Sequence, residues 1–171
     1  MWPFDWKERR ERRWLLRAFS PYLSKDRFDG LMAEASSFPR PMESKEIHFL
    51  LLQVRDDDAD EARPLVVEAV ATACDRGGVV ECMMSSFVLV TFGLYAWEQR
   101  PPAELMAELA GALLERMGSN IRIAYGRARG LHGLLGSEKR FAHTALLPGF
   151  GRYTATLLST DFGSRVVVGD G

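Results

Sequence analysis

The chain has 171 residues, is 47% hydrophobic and 26% charged, and carries a formal net charge of −1. That length suits one domain that buries a core without disulfides or metal, and the apolar content excludes disorder. A membrane span needs roughly 18–20 apolar residues; the best run, Phe87 to Trp97, is shorter and is broken by Thr91 and Gly93.

The N-terminus, Met1-Trp2-Pro3-Phe4-Asp5-Trp6, turns charged at once, so it has no secretory apolar region and a cytoplasmic protein is expected. Charge is segregated: residues 1–45 carry a net +3, 46–118 a net −8 and 119–171 a net +4. That dipole suits self-association or an oriented partner, whereas nucleic-acid binding would need a basic stripe. The cysteines, Cys74 and Cys82, form no Cys-x-x-Cys, so no thiolate zinc site is expected.

Lys7 to Phe19 reads as a short charged helix, and residues 21–36 as a second, with Phe28, Leu31, Met32 and Ala35 on one face. Trp2, Phe4, Trp6 and Trp14 beside the basic run allow either weak contact of residues 2–17 with a membrane surface or docking on a protein partner. Phe38-Pro39-Arg40-Pro41 ends the helix. Residues 1–45 are thus read as a helical and linker segment, and 46–171 as the domain.

Ile47 to Val54 is a strand buried on both faces, so His48 on it is read as a satisfied structural residue. The run Asp56 to Glu61 lacks the glycine and terminal glutamate of a calcium loop, and is assigned to the start of the next helix. That helix carries Ala62, Leu65, Val66, Ala69, Val70, Ala73 and Cys74 on one face and stops at Gly77-Gly78. Val79 to Met84 and Phe87 to Phe92 form a hairpin about Ser85-Ser86. Pro101-Pro102 opens another helix, and Ile121 to Gly126 reads as a half-exposed strand with Arg122, Ala124 and Gly126 outward.

The order β-α-β-β-α-β gives an α+β, ferredoxin-like sheet with both helices on one face. A hairpin with turn glycines (Gly126, Gly130, Gly133, Gly136), a helix over about 150–160 and a strand from Arg165 to Val168 extend it. The three histidines show no ligand spacing, and no serine sits in a nucleophile elbow.

The residues from about Leu16 onward resemble the class III nucleotidyl cyclase domain, the adenylate and guanylate cyclase fold. The resemblance is carried by Leu16 to Ser24, Gly77-Gly78 through Phe92-Gly93, Ile121-Arg122-Ile123-Ala124-Tyr125-Gly126, Gly133-Leu134-Leu135-Gly136-Ser137, and the spacing from Thr144 to Leu157. Such domains cyclise a nucleoside triphosphate with two metal ions held by two carboxylates, at a site shared between two domains.

By that resemblance the two metal carboxylate positions hold Gln53 and Ser86. The purine-reading lysine and its companion are Cys82 and Ala145, the ribose asparagine is Arg152, and the phosphate arginine is Thr156. Neutral side chains do not replace anionic oxygen ligands. A slip of three residues would put the Asp56 carboxylate at the Gln53 position but would change the strand face, and the hairpin turn has no aspartate nearby.

The expectation is therefore a non-catalytic domain with no metal, no cofactor and no catalytic residue. It would serve as a regulatory, dimerisation or interaction module, paired with itself or with a related cyclase-like chain. A metal-independent nucleotide or small-molecule sensor is the alternative, its cleft lined by Gln53, Cys82, Ser86, Arg152 and Thr156. A divergent active enzyme ranks below both.

Overall fold

The structure is a computed structural model that describes Asp29 and residues 42–57, 59–94, 102–137 and 140–169. The readings of residues 1–28 and 30–41 as helices, linker, membrane contact or docking segment lie outside the described residues. Strand β1 (Glu43–Val54) is followed by α1 (Ala59–Asp75), β2 (Val79–Met84), β3 (Phe87–Phe92) and α2 (Pro102–Met117). Then come β4 (Ile121–Ser137), β5 (Arg140–Leu146), α3 (Phe150–Leu158) and β6 (Arg165–Gly169). The sheet order is β2-β3-β1-β4-β5, and β6 pairs in parallel with the first half of β4. The expected ferredoxin-like core with its hairpin, helix and strand extension is present.

Strand β1 lies between β3 and β4 and is antiparallel to both. Its residues alternate between two cores. Leu50, Leu52 and Val54 face one cluster, built with Ala69 and Ala73 of α1 and Leu109 and Leu113 of α2. Ile47, Phe49 and Leu51 face the other, built with Tyr153 and Leu157 of α3. Helices α1 and α2 therefore cover one face of the sheet and α3 covers part of the other. The Phe49 and Tyr153 rings meet at 4.9 Å between centroids, an attractive tilted pair.

Local chemistry sets the element ends. Asp60 and Glu61 stand in the first turn of α1, where the helix dipole favours them. At its other end the Gly78 N–H donates to Ala73 O and the Gly77 N–H to Cys74 O, a Schellman closure with Gly77 at φ 95°. Cys74 packs against the helix-side core as expected.

Four readings change. Strand β1 starts at Glu43, because Glu43 to Lys45 pair with Gly130 to His132; these residues belong to the sheet rather than to a linker. The glycines at 126, 130, 133 and 136 lie inside β4 rather than at a turn. A Cβ on Gly126 would sit 1.4 Å from the Val168 carbonyl oxygen, so close approach of β6 requires this glycine. The face of β4 with Arg122, Ala124 and Gly126 is also not solvated: Ala124 is fully buried and Gly126 is buried, because α3 and β6 cover it. The last helix ends at Leu158.

Gly126→Ala should destabilise the domain by about 2 kcal/mol or more, since backbone rather than a flexible side chain must move. Urea unfolding measures it, and a loss under about 0.5 kcal/mol would show that β6 does not pack there.

Candidate functional site

The site grows from the C-terminal end of β1. Gln53 pairs across the sheet with Phe87 on one side and Arg122 on the other. Both Gln53 and Ser86 are buried, at 8% and 2% exposure. Burial obliges them to find hydrogen-bond partners, and they do.

Arg122 donates from Nε and Nη2 to Gln53 Oε1, at 3.0 and 2.7 Å. Gln53 Nε2 donates to Ser86 Oγ at 3.4 Å, and Ser86 Oγ donates to Asp56 Oδ2 at 2.9 Å. The Ser86 carbonyl accepts the Val54 N–H at 2.9 Å, which fastens the hairpin turn to the end of β1. Ser85 takes up the turn's left-handed backbone at φ 55°, a conformation that costs a residue with a Cβ.

The Arg122 guanidinium also reaches beyond the sheet. Its Nη1 donates to Leu158 O at 2.8 Å and to Thr160 O at 3.0 Å, so a cation satisfies carbonyls at the C-terminal end of α3. Phe162 lies against both Arg122 and Arg55, each guanidinium 4.6 Å from the ring centroid. One polar chain thus joins β1, the β2–β3 hairpin, β4 and the segment after α3.

Asp56 is the site residue that strand alternation sets aside. In sequence it belongs to an acidic run that leads into a helix; in space its carboxylate reaches the hairpin, contrary to the expectation that no aspartate stands near that turn. The available signal was the abrupt change at Arg55 from an apolar strand to acidic residues. Asp56 is exposed, and its carboxylate meets the neutral Ser86 hydroxyl. Among the described residues no three His, Cys, Asp or Glu side chains are grouped to hold a metal ion.

The other candidates occupy separate places. Arg152 and Thr156 share α3, one turn apart, and Thr156 Oγ1 donates back to Arg152 O at 3.1 Å. Both turns of this helix use hydroxyls internally, since Thr154 Oγ1 likewise donates to Phe150 O at 2.9 Å. Cys82 is exposed on the edge strand β2, opposite Leu89. The structure therefore brings Gln53 and Ser86 into contact, pairs Arg152 with Thr156, and sets Cys82 on the strand beside the hairpin. His48 is only partly satisfied: Nε2 meets Glu46 Oε1 at 3.1 Å, while the buried Nδ1 has no hydrogen-bond partner.

No family model matches the sequence, and no curated protein matches it. Solved structures do share its fold. The adenylyl cyclase CyaB from P. aeruginosa superposes with a TM-score of 0.63 at 13% identity, covering 75% of this chain and 79% of that one. A bacterial light-regulated adenylyl cyclase gives 0.66 at 10% identity, over 90% of this chain and 51% of that longer one. The non-canonical dimeric guanylyl cyclase domain of the RhoGC fusion protein from Blastocladiella emersonii gives 0.55 at 18% identity, covering 74% and 82%. The chain has the fold of a class III adenylyl and guanylyl cyclase catalytic domain. Among the described residues no helix is long and apolar enough to cross a membrane.

Arg122→Met keeps the aliphatic stem and removes every donor, leaving Gln53 Oε1 and two carbonyls to find new partners. A stability loss on the order of 3 kcal/mol is expected in urea unfolding. Arg122→Lys should recover only part, because an ammonium lacks the planar fork. A loss typical of a surface change, within about 0.5 kcal/mol, would remove Arg122 from the centre of this network.

Proposed function

We propose that this chain is a non-catalytic cyclase-like domain that works as a dimerising, regulatory or protein-interaction module. The observation that carries the reading is the polar chain from Asp56 through Ser86 and Gln53 to Arg122. By resemblance, Gln53 and Ser86 hold the two positions where a cyclase presents metal carboxylates. Here those side chains are neutral: Gln53 spends its hydrogen bonds on Ser86 and the Arg122 guanidinium, and Ser86 donates to Asp56, the one anionic oxygen in this chain of bonds. A divalent cation needs anionic oxygens to replace its water shell, and a fixed positive charge nearby opposes it. Without the metal pair the 3′-hydroxyl is not activated and the charge growing on the phosphate is not neutralised.

The partner in this reading is a second copy or a related cyclase-like chain. Support comes from the α3 side of the sheet. By register Met84 lies on that side, opposite Phe87 and in line with Gln53. It is 65% exposed, and Leu158 on α3 is 49% exposed. Large apolar side chains at such exposure on one side of a sheet suit an interface. One solved neighbour of the same fold is itself described as dimeric.

Two measurements test the proposal. Purified protein given ATP or GTP with Mn²⁺ should release no pyrophosphate or cyclic nucleotide above a protein-free blank; metal-dependent turnover rejects it. In sedimentation equilibrium the chain should associate, and Met84→Glu or Leu158→Glu should weaken association at least tenfold by burying an unpaired charge. Unchanged association in both variants would place the interface elsewhere.

A further inference from the structure

We propose that the outer face of α1 is the docking site for this chain's own N-terminal segment, residues 2–17, whose tryptophans enter a groove there while its arginines meet the carboxylates along it. The inference stands apart from the module reading above, because α1 covers the face of the sheet opposite α3, away from Met84 and Leu158.

Helix α1 turns Ala69, Val70 and Ala73 into the core. Its outer side carries a second apolar stripe, Pro64, Val67 and Ala71, at the i, i+3, i+7 spacing of one helix face. All three are exposed, Val67 at 62%. They floor a groove of about 490 Å³, a volume that takes aromatic side chains. Glu68 and Asp75 border it, and Arg116 from the last turn of α2 reaches it and pairs with Glu68. Glu61, Glu68 and Asp75 stand seven residues apart, close to two helical turns, so their carboxylates run along one side of the helix. Together α1 and α2 carry seven carboxylates against the two guanidinia of Arg63 and Arg116, so this layer is strongly negative.

The N-terminal segment has the opposite character. Residues 1–19 hold six basic and three acidic side chains, together with Trp2, Phe4, Trp6 and Trp14. Arg10 and Arg17 stand seven apart, the interval that separates Glu61, Glu68 and Asp75. The two surfaces are therefore complementary twice over: guanidinia face carboxylates, and indole rings find an apolar floor. The segment is also tethered beside its site. Residues 18–42 join it to β1, an extended reach of about 80 Å, whereas α1, with 17 residues, is about 25 Å long. Such a tether spans the distance and raises the local concentration of the segment to about the millimolar range. A membrane surface competes poorly with that, since one short segment binds a bilayer weakly.

The test is zero-length crosslinking of the full chain with a water-soluble carbodiimide, which joins an amine to a carboxylate it touches, followed by peptide mass spectrometry. Links from the Met1 amine or Lys7 to Glu61, Glu68 or Asp75 are expected, and they should form within single chains when isotopically light and heavy protein are mixed. Added salt should diminish them, because exposed charges are screened. Val67→Arg sets a cation on the groove floor without touching the core and should lower the yield of these links at least tenfold. Arg10→Glu combined with Arg17→Glu should do the same from the segment's side, and it decides the matter should Val67→Arg fail to fold. Trp6→Ala combined with Trp14→Ala should lower the yield as well, since the rings fill the groove. Absence of these links, links only between chains, or a yield that all the variants leave intact overturns the proposal. Co-sedimentation with phosphatidylserine vesicles in place of the links would assign the segment to a membrane and overturn it too.

Discussion

Gln53 has nowhere to place its amide except within the protein, and the account depends on that constraint. It sits at the end of a strand buried on both faces, 8% exposed, with Arg122 directly across the sheet. A carboxamide offers one acceptor and two donors. The acceptor takes two N–H groups of one guanidinium and a donor goes to Ser86. Removing Arg122 leaves the buried Gln53 oxygen unsatisfied, which costs more than the net value of the bond. The chain of bonds therefore acts as one unit, and it fixes both the hairpin turn and the end of α3.

The fold makes this junction unavoidable. Strand β1 is central, between β3 and β4, so whatever ends it meets both the hairpin and the start of β4. Helix α3 crosses the face opposite α1 and α2, and Tyr153 and Leu157 seal it to Phe49 and its neighbours. Its C-terminal carbonyls then fall within reach of Arg122. Phe162, flanked by Arg55 and Arg122, holds the following segment against the same corner, a contact worth about 0.5–1 kcal/mol per cation at exposed sites.

Much of the fold was legible in the sequence. Apolar spacing located α1 and α2, and Gly77-Gly78 marked a helix end because only a residue free to adopt positive φ closes it that way. The limits were tertiary. Glycines read as turn residues in β4 proved to be strand residues, one of them required by the approach of β6, which pairs from about 40 residues downstream. Alternation made Ala124 look exposed, and only α3 lying over that face buries it. At the site, the resemblance named Gln53 and Ser86, and their contact follows from the fold. Asp56 was invisible as a partner because a carboxylate in an acidic run reads as a helix-start residue; its bond to Ser86 depends on where the hairpin lies.

The central claim concerns what occupies the corner where β1, the hairpin and β4 meet. Electron paramagnetic resonance of Mn²⁺ titrated into the protein with a non-hydrolysable nucleoside triphosphate reads that corner directly. The account predicts the same free Mn²⁺ signal as triphosphate alone, with and without Ser86→Ala. Stoichiometric loss of that signal on adding protein, reversed when Asp56 is changed to Asn, would show that the corner grips a cation and would contradict it.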